Sequence, residues 1–155
     1  MKRTPLKRKT ALRAKKPLKR SKRTKAKKPV RRQKRPSMRL LKKKLWAECK
    51  RISRARHGNV CYTCGKTGLE GAGWQTGHFI PSSICSAEMR YSLDNLRPQC
   101  WRCNINLSGN WPAYERHLIA DGYDVNELKQ RNEQTKGKQY DTVWYQNKIA
   151  EYSTM

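Results

Sequence analysis

The sequence predicts an α+β protein: a small metal-stapled ββα core flanked by helices and preceded by a disordered basic arm. Three observations predict it. Two Cys-x-x-Cys pairs, Cys61/Cys64 and Cys100/Cys103, bracket a loop of 35 residues. Helix caps and apolar stripes recur on both sides of that loop, from Ser37 and again from Asn110. The charge is lopsided: residues 1–44 hold 23 Lys and Arg and no acid, while residues 45–155 hold 14 basic and 11 acidic side chains, out of a formal net charge of +26.

Length and composition set the scale. A chain of 155 residues has room for one domain and an appendage. With 31% charged residues, 8% aromatic residues and a single Phe, a large apolar core is not expected, and a metal staple compensates for a small one. The paired Cys spacing favours Zn²⁺ over disulfides, and no signal peptide or membrane-length apolar run is legible. The reading is a reducing, cytoplasmic protein with no membrane partner, in four segments: 1–36, 37–58, 59–110 and 111–155.

Residues 1–36 are low-complexity, Lys and Arg broken by Pro, Thr and Ser, with Pro5-Leu-Lys-Arg8 recurring as Pro17-Leu-Lys-Arg20. Like-charge repulsion and few apolar side chains leave nothing to offset chain entropy, so the arm is expected to be disordered alone. A polycation releases condensed counterions from DNA or RNA, which makes Lys7, Arg8, Lys19, Arg20, Arg31 and Arg32 candidate phosphate contacts, blind to sequence and sensitive to salt. RNA would be held by the same charge non-specifically. A solubilising tail is the bland alternative.

Ser37 after Pro36 predicts a helix N-terminus and Gly58 its stop. Leu41, Leu45, Cys49 and Ile52 form its apolar stripe, expected to pack on the Cys-bearing module, with Cys49 an ordinary core residue. Lys42, Lys43, Lys44 and Arg51 extend the basic surface as candidate DNA contacts. His57 reads as a helix-end residue. Gly65 suits the tight turn of the first knuckle. Trp74 to Ile80 reads as a strand carrying His78, Pro81 to Arg90 as a connection in which Cys85 is a spare thiol, and Tyr91 to Arg97 as the second strand, ended by Pro98. A short helix after Cys103 is interrupted at Ser108-Gly109-Asn110. Asn110 is expected to cap the next helix, which stops at Gly122. Asp124 and Glu127 form a capping-box pattern. Asp141 opens a last helix with Val143, Trp144 and Ile149 on its apolar side, and His117 reads as a surface residue.

Four thiolates at this spacing make a closed tetrahedral Zn²⁺ site of Cys61, Cys64, Cys100 and Cys103, whose role is structural. His78, Asn95 and Asn104 lie within or against the loop it ties. A strand with His78, a strand with Asn95 and a helix beginning in the second Cys pair follow the layout of a ββα-metal nuclease motif. From Cys61 to about Asn110 the chain resembles the HNH (His-Me finger) endonucleases. The run Cys-x-x-Cys-Gly, Gly-His, Gln-Cys-x-x-Cys-Asn and Ser-Gly-Asn more narrowly resembles the NinG (Rap) recombination endonucleases of lambdoid phages, which a basic arm also suits.

The resemblance implies a structure-selective DNA endonuclease that cuts branched recombination intermediates such as Holliday junctions or D-loops. His78 would be the general base, with an imidazole near its ordinary pKa of about 6.5. Asn95 would hold the His78 backbone or ring, and Asn104 would offer its carbonyl oxygen to a catalytic Mg²⁺ or Mn²⁺. Many relatives carry an acid immediately before the His. Here Gly77 stands there, so the cation's ligand set is incomplete and Asn110, Asp94 or a substrate phosphate would fill it. A homodimer would suit symmetric cutting of a junction, but no residue decides it. Two alternatives stay open: a non-catalytic zinc-ribbon protein that binds DNA or RNA, and a sequence-specific nuclease of the same superfamily.

Overall fold

The computed structural model describes residues 36–155. The arm and its candidate contacts Lys7, Arg8, Lys19, Arg20, Arg31 and Arg32 lie outside the described residues, which form one compact unit. Its elements are α1 (Met38–His57), β1 (Trp74–His78), α2 (Ala87–Tyr91), β2 (Leu96–Cys100), a helical turn of π type (Arg102–Asn106), α3 (Trp111–Ala120), α4 (Val125–Thr135) and α5 (Thr142–Ser153). The mixed helix and small antiparallel sheet is the α+β class read from the sequence.

Helix α1 starts where Ser37 Oγ accepts from Leu40 N and ends where Gly58 takes φ +65°. Its stripe Leu41, Leu45, Cys49 and Ile52 is buried as the periodicity requires. The stripe does not pack chiefly on the cysteine module. It joins Tyr91, Leu96, Tyr145 and Tyr152 in one cluster, so the main partners of α1 are β2 and α5. Within α5, Val143 is exposed, whereas Tyr145 and Tyr152 are buried and Trp144 and Ile149 are partly so, a correction to the expected apolar side.

The sheet is a single antiparallel pair with Trp74 opposite Cys100 and His78 opposite Leu96. The second strand begins five residues later than its expected start: Tyr91 closes α2 instead, whose first turn is capped by Ser86 Oγ accepting from Met89 N. Pro98 lies inside β2 and does not end it. In an antiparallel strand the N and O of one residue point the same way, and Pro98 O accepts from Tyr62 N at 2.8 Å, away from β1. The missing N–H therefore falls on the outer edge, where no ladder bond is lost.

Side chains alternate across this ribbon. Helix α1 covers the face of Trp74 and His78: the Trp46 ring stacks on His78 at 5.3 Å, and the Arg54 guanidinium lies 4.7 Å from the Trp74 ring. On the side of α3 and α4, Phe79, Ile80 and Met89 pack with Tyr114, Leu118 and Leu128. Asp124 Oδ1 accepts from Asn126 N and Glu127 N to open α4, and Asp141 Oδ1 accepts from Trp144 N to open α5.

Asn110 precedes α3 in the left-handed region (φ 47°, ψ 52°) and makes no side-chain cap bond, contrary to the capping expectation. Its amide instead donates to Cys103 Sγ at 3.7 Å. The turn through Ser108, Gly109 and Asn110, all at positive φ, is what stops the preceding helical turn.

Candidate functional site

The four cysteine sulfurs Cys61, Cys64, Cys100 and Cys103 all lie within 4.8 Å of one another. Zn–S bonds of about 2.3 Å in a tetrahedron require sulfurs about 3.8 Å apart, and Cys64 Sγ lies 3.8 Å from Cys100 Sγ. The donor set therefore fits a metal ion such as Zn²⁺. Polar groups already point at the sulfurs: Cys103 N donates to Cys100 Sγ at 3.4 Å, and Thr63 Oγ1 lies 3.4 Å from Cys61 Sγ. Gly65 takes φ +71° and its N–H donates to Cys61 O, closing the first knuckle. Leu69 and Trp74 complete a small cluster around the cysteines, separate from the two larger ones. Cys49 and Cys85 stand apart. Cys49 Sγ faces Tyr91 O inside the core, where burial pushes its thiol up to about 12.

Gly77 has a packing reason. Gln99 lies across it, so that a Cβ at Gly77 would come 1.9 Å from Gln99 Oε1. Gln99 is fully buried and donates to Thr63 Oγ1 at 3.2 Å and to Gly109 O at 2.6 Å, joining the first knuckle to the turn after the second. Where an acid would stand, the strand instead makes way for an amide that braces the metal module.

His78 ends β1, half-buried. Its Nε2 is 3.2 Å from Arg90 O. A carbonyl only accepts, so Nε2 carries the proton and Nδ1 is the ring's basic atom. Burial pushes the imidazole down to about 4, with the Arg90 charge adding to the shift and the carbonyl opposing it. That is well below the ordinary value expected from sequence, because Trp46 and α2 shield the ring from water.

Asn95 is fully buried and does not touch the His78 ring. Its Oδ1 accepts from Ile80 N at 2.7 Å, and its Nδ2 donates to Ile80 O at 3.2 Å and Met89 O at 3.0 Å, while its own carbonyl accepts from Phe79 N. Of the two expected points of contact, backbone or ring, these bonds fall on the backbone: Asn95 clamps the chain just after His78 to α2. It orients through the main chain.

Asn104 and Asn110 are not gathered around His78. Asn104 Nδ2 donates to Gln75 Oε1. Gln75 lies three residues back along β1, about 10 Å away and on the opposite face of the ribbon from His78. Asn110 sits against Cys103 Sγ. Among the described residues, the four cysteines are the sole group of three or more His, Cys, Asp or Glu side chains placed to share an ion. The residues present do not assemble a hard-oxygen site for Mg²⁺ or Mn²⁺ at the imidazole.

A groove of about 480 Å³ opens at His78, lined by Lys42, Lys43, Trp46, Ser82 and Arg90. Lys42, Lys43 and Arg90 are exposed, and none has an acidic partner among the ion pairs of the described residues. Of the other basic residues singled out on α1, Lys44 is exposed, whereas Arg51 is engaged by Glu48 at 2.8 Å and by Tyr152 O at 2.7 Å. Sequence reasoning missed Trp46 and Arg90 because Trp46 lies off the apolar stripe and Arg90 sits in a segment read as a connection.

No helix among the described residues is long and apolar enough to cross a membrane. Comparison with curated proteins finds no match, and comparison with solved structures finds none. The family model described as Bacteriophage Lambda NinG protein matches residues 1–154, nearly the whole length. On the strength of that match the chain belongs to the bacteriophage lambda NinG family.

Proposed function

We propose that this chain is a structure-selective DNA endonuclease of phage recombination, of the HNH (His-Me finger) type, that hydrolyses phosphodiester bonds in branched DNA. The observation that carries the reading is the held imidazole: Nε2–H is committed to Arg90 O, Nδ1 is left basic, and the ring lines a groove walled by three cations without acidic partners among the described residues. The succession of β1 ending in His78, β2, and a helical turn inside the second cysteine pair supports the superfamily assignment. Family membership supports the recombination context.

In this reading His78 Nδ1 takes the proton from the water that attacks phosphorus. Its depressed pKa keeps it deprotonated at neutral pH and limits its strength as a base. Lys42, Lys43 and Arg90 face the charge that grows on the phosphoryl oxygens. The zinc-type centre keeps β1, β2 and the following turn in register, which is a structural role. Because Asn104 and Asn110 are not gathered at His78, no step is assigned to a divalent cation.

A second reading, a zinc-stapled module that binds DNA or RNA without cutting it, draws on the same stack: Trp46 and Arg90 O satisfy His78 as a structural residue would be satisfied. Cleavage of junction, flap and linear duplex DNA side by side, with and without Mg²⁺, separates the two. We expect junction cleavage by the wild type and its loss in His78→Ala with binding near normal. Equal cutting by the variant removes His78 from the mechanism, and a wild type that binds but never cuts selects the second reading.

A further inference from the structure

We propose that the groove between α1 and α2 is a binding subsite for one unpaired nucleotide of a DNA strand, with Lys42, Lys43 and Arg90 on its phosphate and Trp46 on its base. The proposal deepens the endonuclease reading by naming what the site takes, and it rests on that reading for its link to cutting. Its binding half stands on geometry alone.

Two lysines one turn or less from Trp46 on α1 and one arginine at the end of α2 converge on the same cavity. The Lys42 Nζ lies 5.8 Å from the centre of the Tyr145 ring, and three exposed cations lining one cavity without carboxylate partners repel one another in the free protein. A bound phosphodiester reverses the sign of that interaction. Ser82 adds a hydroxyl to the lining, able to donate to a phosphoryl oxygen. A divalent cation suits this cavity poorly, and an anion suits it well.

Trp46 distinguishes a nucleotide from a bare phosphate. Its indole stacks parallel on His78, with 6° between the planes, and Trp46 also lines the cavity. An aromatic side chain beside a phosphate cradle is how single strands are commonly held, because every base has a π face and stacking asks nothing of its sequence. Within an intact duplex the bases are already stacked on each other and cannot reach a side chain beside the backbone. Bases at a junction, flap or single-stranded end can. The groove thereby supplies a physical source of preference for unpaired DNA that the sequence-blind arm does not.

The test uses the full, zinc-loaded chain and a probe too short for the arm to grip tightly: 5′-phosphorylated dithymidine, with the matching abasic dinucleotide as control. The ring signals of His78 are followed by NMR; with three His in the chain, His57→Gln and His117→Gln complete the assignment. We expect a saturable shift at His78. The variant Lys42→Gln/Lys43→Gln/Arg90→Gln should raise the dissociation constant about tenfold or more, as befits the loss of charge-assisted contacts. Trp46→Leu should raise it about fivefold for dithymidine and leave the abasic probe unaffected, since base stacking on an aromatic side chain is worth about 1–3 kcal/mol. Trp46→Phe should restore most of the difference, which separates stacking from simple packing.

An unmoved His78 signal at saturating probe, or undiminished binding by the triple variant with its fold intact, overturns the subsite. Equal losses on both probes for Trp46→Leu overturn the base contact. Cutting is read separately: probe binding without any cleavage of branched DNA sinks the endonuclease and leaves the subsite standing, whereas cleavage at unchanged KM in the triple variant does the reverse.

Discussion

The Gln99 side chain occupies the space a Cβ at Gly77 would need, its Oε1 only 1.9 Å from that position. Both residues are buried in the strand pair. Gly77→Ala should therefore destabilise the protein by about 1–3 kcal/mol through overpacking. Gly77→Asp should do worse by forcing in a charge as well. Gln99→Ala also costs stability, because it abandons Thr63 and Gly109, but it vacates the clash. Urea unfolding of both single variants and the double should show the double losing less than the sum. Strict additivity would mean the two side chains do not compete for space.

The four sulfurs should bind one metal ion per chain and contribute on the order of 10 kcal/mol to folding. Chelation, or Cys103→Ser, is expected to abolish the cooperative transition, since the Trp74/Cys100 end of the strand pair is tied at that centre. Cys85→Ser should be nearly silent. Metal content by mass spectrometry and far-UV circular dichroism check this, and a fully folded metal-free chain would contradict it.

The imidazole of His78 makes a signed prediction about pH. Burial holds it neutral in the folded state down to about 4, while the unfolded chain takes its proton near 6.5. Between those values the unfolded state binds more protons, so stability rises with pH there. The contribution is whole above 6.5 and is lost as pH falls from 6.5 through about 4. His57, also depressed by burial, acts in the same direction, so the comparison must be made with a His78→Gln variant. Between about pH 7.5, above that window, and about pH 5, inside it, the urea midpoint should fall further for the wild type than for the variant. Junction cleavage should likewise persist below 6.5, where an unshifted histidine would be mostly protonated.

Arg97 is a buried cation with no carboxylate. It donates from Nη1 to Leu93 O and Leu96 O at 2.9 Å, and its guanidinium lies 5.3 Å from the Tyr62 ring and 4.7 Å from the Tyr123 ring. Its Nε has no partner. A lysine keeps the charge but offers neither the flat face nor the fork. Arg97→Lys should thus cost about 2–4 kcal/mol, and more than Arg97→Met, which discards the charge and retains volume. Chemical denaturation ranks the two, and the opposite order would show that the charge is well compensated.

Removing residues 1–36 should weaken binding to DNA of any sequence and flatten its dependence on salt, leaving the fold of 37–155 intact. Filter-binding over a range of ionic strength reads the slope. An unchanged slope would place the phosphate contacts entirely in the folded unit.

Features that rest on a few neighbouring residues were legible. Ser37, Gly58, Asp124 and Asp141 end or begin helices through their own backbone preferences or side-chain oxygens, and the cysteine spacing alone announces a shared ion. What escaped depends on residues far apart in the chain. Pro98 reads as a strand breaker until it is known which edge its nitrogen faces, and that is decided by Tyr62 in the first knuckle. Asn110 has the chemistry of a cap, yet Cys103 Sγ claims its amide and the backbone turns left-handed. The stripe of α1 announces that something covers it, and says nothing to identify α5. The groove at His78 is a meeting of α1, β1 and α2, so Trp46 and Arg90 carry no local mark of it.

The grip on the imidazole and on the segment after it is made to main-chain oxygens and nitrogens at positions 80, 89 and 90. Ordinary mutagenesis changes side chains, so an alanine scan across those positions would report the packing lost at buried Ile80 and Met89 and the charge lost at Arg90, without touching these main-chain bonds. Their contribution would surface only on replacing an amide link with an ester at Ile80, or on inserting a residue into α2. The exposed Arg90 side chain can therefore change what the groove meets without removing the carbonyl that aims its histidine.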